Sequence, residues 1–135
     1  LMWVEGFNHV TVNVRNLANS LDFYIGILGL QLIHKGNTDA YLEWGSAWIC
    51  LIEKPEFTES IGSVIGIDHI AFSVAEEHFE EAVQVLQAHE VRLIRGPVKR
   101  GLGWTVNFLD PDGIQLELHT SNLRERMSVW NNKQE

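Results

Sequence analysis

A nine-residue phrase occurs twice in this 135-residue chain. Gly6-Phe-Asn-His9-Val-Thr-Val-Asn-Val14 returns sixty residues on as Gly66-Ile-Asp-His69-Ile-Ala-Phe-Ser-Val74. The glycine, the histidine and the final valine are identical, and most other positions keep their polarity. Such self-similarity marks one supersecondary unit copied and paired with itself. The residue held in register is a histidine on a strand, where an apolar side chain would be the easier choice. Two imidazoles made equivalent by a pseudo-two-fold point to a metal site.

The flanking patterns extend the repeat. Residues 7–14 alternate, with Phe7, His9, Thr11 and Asn13 on one face and Val10, Val12 and Val14 on the other, which predicts a strand. Leu17, Leu21, Tyr24, Ile25 and Leu28 recur at helical spacing, and Gly29 is a fitting stop. Strands are expected at 31–34, 40–43 and 47–53, with turns at Gly36-Asn37 and Gly45-Ser46. After a polar, turn-rich linker at 54–65, the order returns: a strand at 67–74, a helix at 76–89, and strands at 92–94, 104–109 and 114–119. Asp110-Pro-Asp-Gly113 joins the last two as a turn. The glycine-rich, basic stretch 96–103 reads as a loop over a site, and 121–130 as a C-terminal helix carrying Arg124 and Arg126. The expected fold is α+β: a single domain over 1–135, with βαβββ units at about 6–53 and 66–119 forming curved mixed sheets.

Composition narrows the function. Apolar residues make up 45% and charged residues 21%, the balance of a globular domain with a real core. A formal charge of −8 argues against nucleic acid or an anionic membrane as a partner. One cysteine, Cys50, excludes an intrachain disulfide and fits a reducing compartment. No apolar run nears membrane-spanning length and no leader pattern is legible, so a cytoplasmic protein is expected.

On the last strand Gln115, Glu117 and His119 share one face, while Ile114, Leu116 and Leu118 take the other. If the units pack about a pseudo-two-fold, the polar faces bearing His9, His69 and Glu117 line one concavity. Two imidazoles and a carboxylate leave coordination positions open, the pattern of a catalytic metal rather than a structural one. Taken singly, each of these residues has a plainer reading as a hydrogen-bonded or solvated strand residue; the repeat is what joins them.

These motifs resemble the vicinal oxygen chelate superfamily of glyoxalases, fosfomycin-resistance enzymes, extradiol dioxygenases and bleomycin-binding proteins. The resemblance spans nearly the whole chain. It rests on His9-Val-Thr-Val, Ser20-Leu-Asp-Phe-Tyr24 with Leu28-Gly29-Leu30, His69-Ile-Ala-Phe, and Phe108-Leu-Asp-Pro-Asp-Gly with Leu116-Glu117. Ala40-Tyr-Leu-Glu-Trp-Gly-Ser-Ala-Trp48-Ile-Cys50-Leu and Glu117-Leu-His-Thr-Ser-Asn-Leu123-Arg-Glu-Arg126 look most like the manganese-dependent fosfomycin-resistance thiol transferases. The resemblance implies a homodimer with shared sites, His9 coming from one subunit and His69 and Glu117 from the other. It implies a divalent metal, Mn²⁺ first and Zn²⁺, Fe²⁺ or Ni²⁺ as alternatives, with glutathione or another thiol as co-substrate. Thr11 and Arg126 match residues that hold the substrate, and Trp48 and Cys50 match cavity-lining positions.

The substrate half of the match departs from the family. Where the family has a serine-rich, potassium-binding loop, this chain reads Lys99-Arg-Gly-Leu-Gly-Trp-Thr105-Val-Asn107. Asn107 stands where a substrate-contacting tyrosine is expected, Ile67 replaces another tyrosine, and Pro97 falls where a phosphonate-binding lysine would sit. Lys99 or Arg100 would have to supply the missing charge, and Trp104 is the candidate for a new substrate wall. Metal-dependent thiol transfer is the leading expectation. A glyoxalase-like isomerase or lyase, an extradiol dioxygenase and a metal-free drug-binding protein remain alternatives. The lyase would need a further ligand or base near Cys50–Leu51, where no carboxylate is in phase and Glu53 is the nearest acid.

Overall fold

The structure is a computed structural model that describes residues 2–58 and 64–134, with side chains through residue 129. Glu59, Ser60, Gly62 and Ser63 of the expected linker lie outside the described residues, as does the side chain of Trp130. The chain forms two compact units, Leu1–Glu59 and Ser60–Glu135. Each carries the expected βαβββ order.

In the first unit, β1 (Val10–Val14) is followed by α1 (Leu17–Leu21), then β2 (Gln31–Lys35), β3 (Asp39–Trp44) and β4 (Ala47–Glu53). Asn16 starts α1 because its side chain accepts from the Asn19 N–H at 2.9 Å. The helix widens into a π-helical stretch over Asp22–Ile27, and Gly29, at φ 81°, ends it in a conformation that glycine adopts freely. Strand order in the sheet is β1-β4-β3-β2, with β1 parallel to β4 and the other pairs antiparallel. Val12, Val14, Leu42, Ile49 and Leu51 are buried with Leu17, Phe23 and Tyr24 of the helical segment. The opposite face presents Thr11, Tyr41, Trp48 and Cys50.

The second unit repeats this plan with β5 (Ile70–Ser73), α2 (Glu76–Ala88), β6 (Leu93–Arg100), β7 (Gly103–Leu109) and β8 (Gln115–His119), in the order β5-β8-β7-β6. Phe79, Val83 and Leu86 of α2 are buried, as are Val106, Phe108, Leu116 and Leu118 of the sheet. The 110–113 turn is an Asx turn: Asp110 Oδ1 accepts from the N–H groups of Asp112 and Ile114 at 2.9 and 2.8 Å. That turn sets the register in which Asn107 lies opposite Glu117. A last helix, α3 (Leu123–Gln134), is longer than its expected span of 121–130. Asn122 and Glu125 cap it reciprocally, the Glu125 N–H donating to Asn122 Oδ1 and the Asn122 amide to Glu125 Oε1.

The expected loop over 96–103 is instead a hairpin. β6 runs through Arg100 and pairs with β7 (Val98 with Thr105, Lys99 with Trp104, Arg100 with Gly103). Glycine and proline in this stretch signal a bulge rather than a loop: the register shifts between Arg95 and Val98. Gly96 sits there at φ 80°, and a Cβ on it would meet the Thr105 carbonyl oxygen at 2.5 Å.

Candidate metal centre and its cavity

Both histidines sit one residue ahead of the first strand of their unit, His9 before β1 and His69 before β5. Period two carries the phase of His69 to Ala71 on β5, and register carries it across the sheet, Ala71 pairing with Glu117 and Glu117 with Asn107. The imidazole and the carboxylate therefore meet on one face, with His69 Nε2 and Glu117 Oε1 3.4 Å apart. Two donors bound to one ion at usual lengths stand about 3.0–3.4 Å apart, so the spacing fits a shared cation. Glu117 is only 8% exposed, which keeps its carboxylate in place. The small side chain of Ala71 leaves the space beside it open. Among the described residues no three ligating side chains form a cluster, so this unit contributes a pair. His9 belongs to the first unit, where its ring stacks on Trp48 with centroids 4.3 Å apart.

The pair opens onto a cavity of about 450 Å³ lined by β5–β8 and the start of α3. Arg95, Arg100 and Arg126 all line it. Among the described residues no carboxylate pairs with any of the three. Arg126 is brought there because α3 starts hard against the hairpin: a side chain on Gly103 would run into Ser121 and Thr120 at 2.7–2.9 Å. Thr120 also bonds to Trp104, its hydroxyl accepting from the Trp104 N–H at 2.8 Å. His119 lines the same cavity, and its Nδ1 accepts from the Ser121 N–H at 3.0 Å. When that ring is neutral its proton is thereby held on Nε2, as a donor.

Asn107 is fully buried between Arg95 and Glu117 in the sheet register, and neither of its amide atoms has a partner among the described residues. The Thr105 hydroxyl is likewise buried and unpaired. Leaving such groups unpaired costs about 1–3 kcal/mol each. Of the two, only Thr105 lines the cavity with Glu117, and an orphaned hydroxyl there fits a site built to hold a further group.

Other expected site residues fall elsewhere. Cys50 lies opposite Thr11 in the first sheet, the position that Glu117 holds opposite Ala71 in the second. Burial, and next the charge of Asp39, push the Cys50 thiol above its ordinary range, and a hydrogen bond from Thr11 pulls the other way. Trp48 stands beside His9. Lys99 and Trp104 pair with each other on the sheet face opposite Arg100, where the Trp104 ring lies 6.3 Å from Phe79 of α2. Pro97 lines that same side, with Phe79 and Val83. Neither Lys99 nor Trp104 is among the residues lining the Glu117 cavity. Arg95 and Arg126 accompany Arg100 there, and the bulge between Arg95 and Arg100 hides their common phase in the sequence.

A family model for the Glyoxalase/Bleomycin resistance protein/Dioxygenase superfamily matches residues 6–118, and the chain belongs to that superfamily. Within it, the chain is 36% identical over 132 residues to the glutathione transferase FosA of Serratia marcescens, covering 96% of this chain and 91% of that one. It is 34% identical over 128 residues to the metallothiol transferase FosB of Staphylococcus epidermidis, covering 94% and 91%. Among solved structures, the fosfomycin resistance protein FosX of Listeria monocytogenes, complexed with Mn(II) and sulfate, superposes with a TM-score of 0.79 at 25% identity, over 95% of this chain and 99% of that one. A glyoxalase/dioxygenase from Nostoc punctiforme shares the fold at a TM-score of 0.80, over 87% and 92% of the two chains.

Proposed function

We propose that this protein is a metal-dependent thiol transferase acting on a small, anionic, oxygen-rich molecule of fosfomycin type. The observation that carries this reading is the cavity that sets His69 and Glu117 beside three arginines. His69 and Glu117 hold a divalent cation, Mn²⁺ by preference, with His9 of a second copy as third ligand. A cation bound there would supply Lewis-acid polarisation of a substrate C–O bond. Arg95, Arg100 and Arg126 balance the substrate's negative charge locally, which outweighs the chain's overall acidity within a Debye length of about 8 Å. Thr11 offers a hydrogen bond that orients the substrate, while Asn107, fully buried, backs the cavity wall from behind. On a substrate bearing an epoxide, an external thiolate, of glutathione or another small thiol, forms the new C–S bond as the epoxide C–O bond opens, and the released alkoxide takes a proton from solvent water to end as a hydroxyl.

Two features support a shared site in a homodimer. The segments leading to both histidines expose large apolar side chains, including Trp3, Phe7, Ile65 and Ile67, which is the kind of surface a second copy covers. The polar face around His9 also carries Trp48 and Tyr41, both partly exposed. The lyase alternative loses ground on two counts. Cys50 holds the place of the needed carboxylate, and Glu53 is committed elsewhere, its Oε2 accepting from the Leu17 N–H at the start of α1.

Mass spectrometry of fosfomycin incubated with the Mn²⁺-loaded protein tests this reading, with glutathione, cysteine and other small thiols supplied in turn. A thiol adduct that disappears in Glu117→Gln is the expected result. No adduct with any thiol, or an undiminished yield in Glu117→Gln, would refute it.

A further inference from the structure

The repeat extends beyond the histidines to what holds them. The His9 Nδ1–H donates to Asn8 Oδ1 at 2.5 Å, and the His69 Nδ1–H to Asp68 Oδ2 at 2.7 Å. In both units the residue just before the histidine is the acceptor. An amide or carboxylate oxygen can only accept, so each ring keeps its proton on Nδ1 and leaves Nε2 as a bare donor atom. In the second unit it is this Nε2 that faces Glu117. The two acceptors differ by one unit of charge, the first neutral and the second anionic.

We propose that Asn8 and Asp68 are positioning residues that fix the ligating nitrogen of each histidine, and that their difference in charge makes His69 the stronger ligand of the two. The inference rests on the metal-centre reading above. A carboxylate bonded to Nδ1 draws the ring proton toward itself and raises the basicity of Nε2, whereas an amide oxygen only orients the ring. The second unit therefore carries the higher-affinity half of the centre, a strong imidazole beside a buried carboxylate. Asp68 is 82% exposed, so solvent screens its field. That places the effect of removing its charge near the low end of the 10–100-fold range typical of such partners.

Two variants isolate charge from geometry. Asp68→Asn keeps an acceptor oxygen and removes the charge; Asn8→Asp adds the charge to the other histidine. Each metal-stripped protein is titrated with Mn²⁺, and the free ion is read by EPR, with urea midpoints measured in parallel. The expected result is Mn²⁺ affinity about tenfold weaker in Asp68→Asn and several-fold tighter in Asn8→Asp, at unchanged midpoints. Wild-type affinity in both variants, with binding still abolished by His69→Ala, would overturn the inference and leave the metal centre standing. Weaker binding in Asn8→Asp would overturn the role assigned to charge. Failure of the wild-type protein to bind Mn²⁺, Co²⁺ or Zn²⁺ would overturn the metal centre and the inference together.

Discussion

Replacing Gly96 with alanine tests how the cavity gets its arginines. Gly96 lies in the bulge that lets Arg95 and Arg100 face the same side of β6, and its φ of 80° is one that an L side chain enters at a cost of about 1–2 kcal/mol. The added Cβ would also stand 2.5 Å from the Thr105 carbonyl oxygen and 2.9 Å from the Val98 nitrogen. Both are backbone atoms of the paired strands, so relief requires the hairpin to open, at a further cost of about 1–3 kcal/mol. The sum, about 2–5 kcal/mol, moves a urea midpoint by about 1–3 M. Gly101→Ala is the control: φ is 61°, but the nearest atoms are side-chain carbons of Arg126 and Val129 at 3.9 Å, so only the backbone strain of about 1–2 kcal/mol remains. Equilibrium urea unfolding of the two variants decides the matter. Equal midpoints would show that the close approach at Gly96 carries no energy, and the argument for the bulge would fail.

Other consequences are open to measurement. Alkylation of Cys50 by iodoacetamide should be slow at neutral pH and accelerate only above the ordinary thiol range, because burial and Asp39 raise its pKa; Thr11→Val, which removes the one lowering influence, should slow it further. A rate at pH 7 like that of a free thiol would contradict this. Arg95→Gln and Arg126→Gln should each weaken binding of an anionic substrate about tenfold, seen in steady-state kinetics as a raised KM, whereas Lys99→Gln on the opposite face should change it little. Phe108→Ala, at a fully buried position, should cost about 3–5 kcal/mol in calorimetric or urea unfolding. Mixing inactive His9→Ala with inactive Glu117→Ala should restore about a quarter of wild-type activity, since half of randomly mixed dimers would hold one intact site. No recovery after subunit exchange would exclude a site shared between copies.

Much of the architecture was legible because the signals are periodic or local. The duplicated phrase set the two βαβββ units, and Asp110-Pro-Asp-Gly113 marked the turn that fixes the register of Glu117. The phase of Glu117 on β8 followed from the alternation with Leu116 and Leu118, both of them buried. Pairing across the bulge was not legible. Glycine and basic residues over 96–103 look alike in a loop and in an irregular hairpin, and counting by twos fails where a residue is inserted. Arg95 was not legible for that reason, nor was the placement of Lys99 and Trp104 on the sheet face away from the Glu117 cavity. The acceptors Asn8 and Asp68 had a readable signal, a polar residue before each repeated histidine, but a side-chain bond to the next residue's ring leaves no periodic trace.

The central claim is that His9, His69 and Glu117 hold a cation that engages an oxygen-rich anion. Manganese EPR of metal-stripped protein, with fosfomycin then added to the same sample, tests it most directly. The account predicts binding near one Mn²⁺ per chain, lost in Glu117→Gln and His69→Ala, and a bound-ion spectrum reshaped by fosfomycin. Mn²⁺ binding that survives both substitutions, or a bound spectrum indifferent to fosfomycin, would contradict it.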